Sequence, residues 1–189
     1  LAGAPNPGLG DIPAQSGSGT ECNAANTQQL RALLSSALLR KVKADCVTLA
    51  TMYASQNHLP VTYFLRQINQ ESGFNPAILG PYVCSGGSCG RAEGIGQFMS
   101  YRHDNFNHWD PNAALQHSAA ENAGNWNRHM KDGDNQIVAY MKMLVDYNCG
   151  PACSAYKYGK DWYLHLPGQT AGYIHSIMGI PESQISKYI

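Results

Sequence analysis

One glutamate on an apolar helical face is the residue of this chain best suited to acid–base chemistry. Phe64, Ile68 and Glu71 follow one another at spacings of four and three, so they share one face of a helix. Burial of a carboxyl group on such a face at a cleft wall raises its pKa, because the charged form loses solvation. Glu71 is therefore predicted to hold a proton near neutral pH and to act as a general acid.

The helix that carries this acid has recognisable ends. Pro60 suits its first turn and Gly73 suits its end, which places Glu71 in the last turn, facing a loop. The following segment, residues 74–110, is rich in Gly, Asn, Ser and aromatic residues and has no sustained period, which is typical of a cleft wall. A short helix is predicted within it at residues 97–101.

Apolar periodicity predicts a mainly α protein without a substantial sheet. Residues 27–56 form one long helix or two broken ones, capped by Asn26 or Thr27. Further helices are predicted over 111–131, over 135–147, from residue 169 or 170 onward, and in the last nine residues. Residues 1–20, dense in Gly, Pro and Ser, are predicted to be a flexible arm, and residues 21–189 a single catalytic domain.

Composition and cysteine usage narrow the function classes. Lys+Arg and Asp+Glu are 13 each, so no charge excess favours nucleic acid or an anionic membrane, and no apolar run approaches the roughly 20 residues of a bilayer span. The six cysteines suit disulfides in an oxidising compartment, because their spacings do not match those of zinc sites. Sequence proximity favours the pairs Cys22–Cys46, Cys84–Cys89 and Cys149–Cys153, with other connectivities open.

The histidines do not indicate a metal centre. Their separations in the middle of the chain fit no usual ligand set, so solvated or packed side chains are expected, and no catalytic metal or other cofactor is predicted. The histidines concerned are His103, His108, His117 and His129.

Four ordered blocks resemble those of a known family. They are QESGFNP at 70–76, AEGIGQFM at 92–99, YNCGP at 147–151 and LPGQTAGYI at 166–174. Together, over residues 60–180, they resemble the lytic transglycosylases of the lysozyme-like superfamily, which include the soluble lytic transglycosylases and are related to goose-type lysozymes. The resemblance implies a lysozyme-like helical domain with a substrate cleft, whose partner is the glycan strand of peptidoglycan.

The resemblance also implies a role for each matching residue. Glu71 would be the single catalytic acid and base, cleaving the β-1,4 bond between N-acetylmuramic acid and N-acetylglucosamine to leave a 1,6-anhydro product. The other matching residues would bind substrate: Ser72 and Gln97 line the sugar site, Tyr147 and Asn148 position an N-acetyl group, and Tyr173 lies against the acid. Independently of the family, aromatic side chains suit sugar faces: Phe98, Tyr101, Trp109 and Tyr147.

Two alternatives remain open from the sequence. A second carboxylate at Glu93, Asp104 or Asp110 would let water attack, making the chain a hydrolysing muramidase. The third hypothesis is a non-catalytic cell-wall-binding component of a virion or secretion apparatus, as part of a larger polypeptide. All three hypotheses imply an extracellular, periplasmic or virion-associated location.

Overall fold

The computed structural model describes Ile12, residues 17–85 and residues 87–189 of the chain. The described residues are mainly helical, as predicted, with a small sheet in addition. The helices are α1 (Ala24–Ala32), α2 (Ser36–Gln56), α3 (Val61–Ser72), α4 (Pro111–Lys131), α5 (Gln136–Asn148) and α6 (Gly168–Met178), with 3-10 segments at Ser154–His165 and Glu182–Lys187; the strands are β1 (Leu79–Ser85), β2 (Ser88–Glu93) and β3 (Phe98–Met99).

The chain divides into two compact units, and the boundary falls within α4. The first unit holds the described residues of the range 10–119 and the second holds residues 120–189. The single domain predicted for residues 21–189 stays a prediction, and most of the arm predicted for residues 1–20 lies outside the described residues.

In the first unit, α1 and α2 are separate helices because each has its own capping side chain. Asn23 accepts a hydrogen bond from the backbone N–H of Asn26, and Ser35 accepts one from that of Leu38. The first helix therefore starts at Ala24 and not at the predicted cap, since an asparagine side chain satisfies the first free N–H groups there.

Helix α3 matches the sequence prediction at both ends. Pro60 precedes its first residue, and Gly73 ends it in the left-handed conformation (φ 56°), which glycine adopts without steric cost. Phe64 and Ile68 are fully buried. The face that carries Glu71 is thereby held against the core of the first unit.

The antiparallel sheet is small, in agreement with the prediction of no substantial sheet, but it corrects the short helix predicted at residues 97–101. Its strand order is β1-β2-β3, and β3 occupies residues for which a short helix was predicted. Cys84 and Cys89 are direct cross-strand partners and form a disulfide. A covalent bridge and cross-strand hydrogen bonds thus stabilise a hairpin whose short, Gly-rich strands lack a clear apolar alternation.

The second unit is built around α5 and α6, with a 3-10 segment between them. Tyr140 of α5 and Trp162 of the 3-10 segment are almost fully buried. This 3-10 segment was not predicted, whereas the three predicted disulfides are all confirmed. Among the described residues, no helix combines the length and hydropathy of a membrane span.

Candidate functional site

The end of α3 fixes the backbone of the predicted acid. Glu71 is half-buried in the last turn, and its neighbour Ser72 is buried, donating its hydroxyl to the Ile68 carbonyl over 3.1 Å. A Cβ on Gly73 would lie 3.8 Å from the Lys43 ammonium, so a cation lies close to this helix terminus. Such a charge complements the carbonyl end of a helix. The predicted acid thus lies in the last turn of a helix whose terminal glycine has a lysine ammonium nearby.

Gln97 is held at the turn between β2 and β3. It adopts the left-handed conformation (φ 53°), and its side-chain amide donates to the Gly94 carbonyl over 2.9 Å. A Cβ on Gly80 would come within 2.9 Å of the Gln97 Oε1 atom, so only glycine leaves room for this amide. The Gly94 carbonyl and the space beside Gly80 therefore set the position of a half-buried amide.

The ring of Phe98, one of the predicted substrate-binding residues, is buried in the structure. Its side chain is 2% exposed, and the Phe106, His108 and His117 rings lie 5.2, 5.5 and 5.6 Å away between centroids. The Arg102 guanidinium lies 4.9 Å from the ring centroid. Burial of the ring contributes to the stability of the first unit, because apolar surface is removed from water. The sugar contact expected of Phe98 stays a prediction.

Two of the three candidate second carboxylates meet at one imidazole. Nδ1 of His108 lies 3.1 Å from Oε2 of Glu93, and its Nε2 lies 2.9 Å from Oδ2 of Asp104. Arg102 reaches both oxygens of Asp104, with Nε 3.0 Å from Oδ2 and Nη2 3.1 Å from Oδ1. We name this group the His108 cluster.

The His108 cluster stabilises the charged form of Asp104. Burial alone would raise the pKa of Asp104, but the hydrogen bonds and positive charges of His108 and Arg102 outweigh burial and lower it. The histidine side chain is 8% exposed and that of Asp104 12%, so solvent screens their contact only weakly. Asp104 is therefore an ion-pair partner in the structure.

Asp110 serves the start of α4. Its Oδ1 accepts from the backbone N–H of Asn112 at 3.1 Å and from that of Ala113 at 3.5 Å. An aspartate in this position satisfies the free N–H groups of the first turn and complements the helix dipole. The third candidate second carboxylate is thus a helix cap.

The remaining predicted site residues lie in the second unit. Oδ1 of Asn148 accepts from the Thr170 hydroxyl at 2.8 Å, which joins the YNCGP block to the LPGQTAGYI block. Tyr147 is half-buried, and Tyr173 is 5% exposed. The amide of Asn148 is consequently fixed by a neighbouring helix, as a substrate-positioning group would need to be.

Of the other aromatic residues expected at a sugar site, Trp109 has a cation on its ring. The Arg31 guanidinium lies 3.8 Å from the Trp109 ring centroid, so one face of the indole is already covered. Tyr101 is half-buried. Within the described ranges, no group of three or more His, Cys, Asp or Glu side chains has an arrangement that could hold a metal ion.

Sequence reasoning missed two charge clusters. One is the His108 cluster. The other lies in the second unit, where the buried Asp146 carboxylate accepts hydrogen bonds at 2.6 to 2.8 Å from Arg128, His129 and Tyr156. The i, i+4 pair Asp104–His108 was a usable local signal, whereas partners 17 or 18 residues apart give none.

Comparison of the chain with protein-family models, with curated proteins and with solved structures finds no match.

Proposed function

We propose that this chain is a peptidoglycan lytic transglycosylase with a lysozyme-like fold, and that Glu71 is its general acid and base. One observation carries the proposal: each of the three carboxylates available to a hydrolytic mechanism contacts another group of the protein. Asp104 accepts hydrogen bonds on both oxygens, Glu93 contacts His108, and Asp110 caps α4. These contacts support a mechanism in which no second carboxylate takes part, with the acid on α3 as the general acid and base.

A single acid is sufficient for the proposed reaction. The Glu71 carboxyl group gives its proton to the glycosidic oxygen, and the bond from that oxygen to C1 of the muramoyl residue breaks. The C6 hydroxyl of the same residue attacks C1, and the Glu71 carboxylate takes the hydroxyl proton. The proton count of the enzyme is restored, no water is consumed, and a 1,6-anhydro ring forms. A nucleophile already tethered to the electrophile reacts at high effective concentration, which removes the need for a second carboxylate.

The fixed amides provide the substrate contacts in this proposal. In the first unit, Gln97 would hydrogen-bond an acetamido group of the sugar. In the second unit, the resemblance assigns substrate binding to Tyr147, Asn148 and Tyr173. In Gln97 and in Asn148, one atom of the side-chain amide forms a hydrogen bond within the protein, which fixes the orientation of the amide. The other amide atom of each side chain can then bind a ligand. Ser72, whose hydroxyl donates within its own helix, is proposed to line the site through the position of its backbone.

The three disulfides are compatible with an oxidising compartment. The enzyme is accordingly proposed to act outside the cytoplasm, in an extracellular, periplasmic or virion-associated setting. Such a location exposes it to the proposed substrate, the glycan strand of peptidoglycan.

Mass spectrometry of purified peptidoglycan after digestion tests the function. Wild type should release anhydro-muropeptides, and Glu71→Gln should release fewer by at least about a hundredfold, the usual scale of acid–base catalysis. The matched control is Glu182→Gln, an exposed glutamate in the C-terminal 3-10 segment, which should retain wild-type yield. Reducing-end muropeptides would instead assign a hydrolase, and the absence of soluble product from wild type would assign a non-catalytic wall-binding protein.

A further inference from the structure

A pocket lies in the first unit between the α1–α2 junction and the start of β1. Its volume is about 410 Å³, which is within the range of small-ligand sites. Five of its nine lining residues are aliphatic, and the nine are Leu30, Arg31, Leu34, Ser35, Ser36, Leu39, Asn75, Ala77 and Leu79. Asn75 follows Glu71 by only four residues, so one wall of the pocket continues from the loop that leaves the proposed acid.

The pocket has one charged lining residue, and that residue is preorganised. The Arg31 guanidinium lies 3.8 Å from the Trp109 ring centroid. Among the described residues, no carboxylate forms an ion pair with Arg31, in contrast to Lys41, whose ammonium lies 2.7 Å from Glu21. A stacked guanidinium keeps its in-plane N–H groups available and binds carboxylates in a bidentate manner. The charge of the pocket is complementary to an anion.

Three exposed leucine side chains lie at the rim of the pocket. Leu34 is fully exposed and Leu79 is 48% exposed, and Leu33 beside them is 64% exposed. Two of these side chains line the same pocket, and removing them from water would contribute roughly 25 cal/mol per Å². The preferred occupant therefore combines alkyl groups with a carboxylate.

We propose that this pocket binds the peptide stem carried by the glycan strand, a short peptide with alkyl side chains and free carboxylates. The proposal rests on the proposed function, because a peptidoglycan substrate carries such a peptide. Arg31 binds a stem carboxylate, and Leu30, Leu34 and Leu79 contact the alkyl groups. The enzyme then prefers strands that bear peptides over strands that have lost them.

Isothermal titration with a peptide free of sugar tests the pocket. The probe is the tetrapeptide L-alanyl-γ-D-glutamyl-L-lysyl-D-alanine, and its counterpart has both carboxylates amidated. Arg31→Gln should weaken binding of the acid peptide about five- to tenfold, and Arg31→Lys should weaken it less, because it keeps the charge but loses the planar fork. The control is Arg40→Gln, an exposed arginine of α2 outside the pocket lining, which should bind as wild type does. Amidation should weaken wild-type binding and abolish the difference between wild type and Arg31→Gln.

The outcomes separate this inference from the proposed function. Absence of peptide binding by wild type, or binding that Arg31→Gln leaves unchanged, would overturn the pocket assignment even if anhydro-muropeptides are produced. Concentration-dependent dimerisation that Leu34→Asp disperses, without peptide binding, would assign the pocket to a second copy of the chain and overturn the inference. Arg31-dependent peptide binding by a chain that cleaves no glycan would support the pocket and refute the lytic activity.

Discussion

The His108 cluster allows a prediction whose magnitude follows from the structure. Replacement of His108 by glutamine removes an imidazole that lies between two carboxyl groups, 2.9 Å from Asp104 and 3.1 Å from Glu93. The contact with Asp104 has the two less exposed partners, with side chains 8% and 12% exposed, whereas the Glu93 side chain is 22% exposed. Solvent screens the second contact more, so the two contacts should differ in strength.

The expected free energies can be ranked. Hydrogen bonds to charged groups contribute about 1.5 to 3 kcal/mol when buried, and exposed ion pairs contribute about 0.2 to 1 kcal/mol. We expect a coupling energy of about 1 to 2 kcal/mol between His108 and Asp104, because Arg102 remains bound to Asp104 when His108 is replaced. Between His108 and Glu93 we expect about 0.5 to 1 kcal/mol.

Urea unfolding of two double-mutant cycles measures these couplings. One cycle pairs His108→Gln with Asp104→Asn, and the other pairs it with Glu93→Gln. A His108–Asp104 coupling below about 0.5 kcal/mol, or one smaller than the Glu93 coupling, would refute the view that the buried pair holds the cluster together.

The pH dependence of stability gives an independent check. Because the folded-state pKa of Asp104 is lowered, its stabilisation is present above the unfolded pKa and is lost as the pH falls below about 4. Asp104→Asn should therefore lose less stability on acidification than wild type.

Three further substitutions have outcomes set by local structure. Gly94→Ala places a Cβ 2.2 Å from a backbone carbonyl oxygen at φ 68° and should destabilise the fold by more than about 2 kcal/mol, whereas Gly124→Ala, with open space inside a helix, should be neutral or stabilising by up to about 1 kcal/mol in thermal unfolding. Tyr156→Phe should cost about 1 to 2 kcal/mol, and because the pKa of Tyr156 is raised, this variant should also show a smaller loss of stability than wild type above about pH 10 in denaturant titrations. Double replacement of Cys22 and Cys46 by serine, which opens a separation of 24 residues, should lower stability by about 1 kcal/mol more than opening the hairpin bridge with its separation of 5, as differential scanning calorimetry can establish.

The helical part of the fold was predictable because its signals are local. Pro60 and Gly73 mark the ends of α3, and the pair Asp110 and Pro111 marks the start of α4. A cap acts on N–H groups within one turn, so a window of a few residues contains the whole interaction. For this reason the predicted ends of α3 and α4 agree with the structure to within about one residue.

The sheet was less predictable because its stabilising contacts are not local to one strand. Residues paired across β1 and β2, such as Leu79 with Glu93, are far apart in sequence and show no clear alternation. The Cys84–Cys89 pair was read correctly as a bridge, but a bridge over a short loop is compatible with several backbone forms. Only the cross-strand register reveals that this bridge closes a hairpin.

At the candidate site, the sequence identified candidate residues but not the side chains that they contact. The position of Glu71 on the face of Phe64 and Ile68 follows from helical spacing alone, and both apolar residues are buried. The contact between Glu93 and His108 bridges 15 residues across a strand end and a loop, where no period connects them. Sequence reasoning could therefore nominate a second carboxylate but could not tell that it was already bound.

The choice between lyase and hydrolase depends on which oxygen atoms remain to accept a proton from water. Both oxygens of Asp104 are engaged by His108 and Arg102, and Asp110 is fixed as a cap, whereas Oε1 of Glu93 receives no hydrogen bond from any described residue. Glu93 is thus the one carboxylate of the His108 cluster that could still act as a base.

If hydrolysis contributes, Glu93→Gln should remove reducing-end muropeptides and spare the anhydro products, because only attack by water needs the second base. Quantifying both products by mass spectrometry for wild type and this variant, with Asp110→Asn as a carboxylate control, measures that contribution. Under the lyase mechanism the anhydro fraction is unchanged by Glu93→Gln, and a rise in that fraction would contradict the assignment of Glu71 as the sole base.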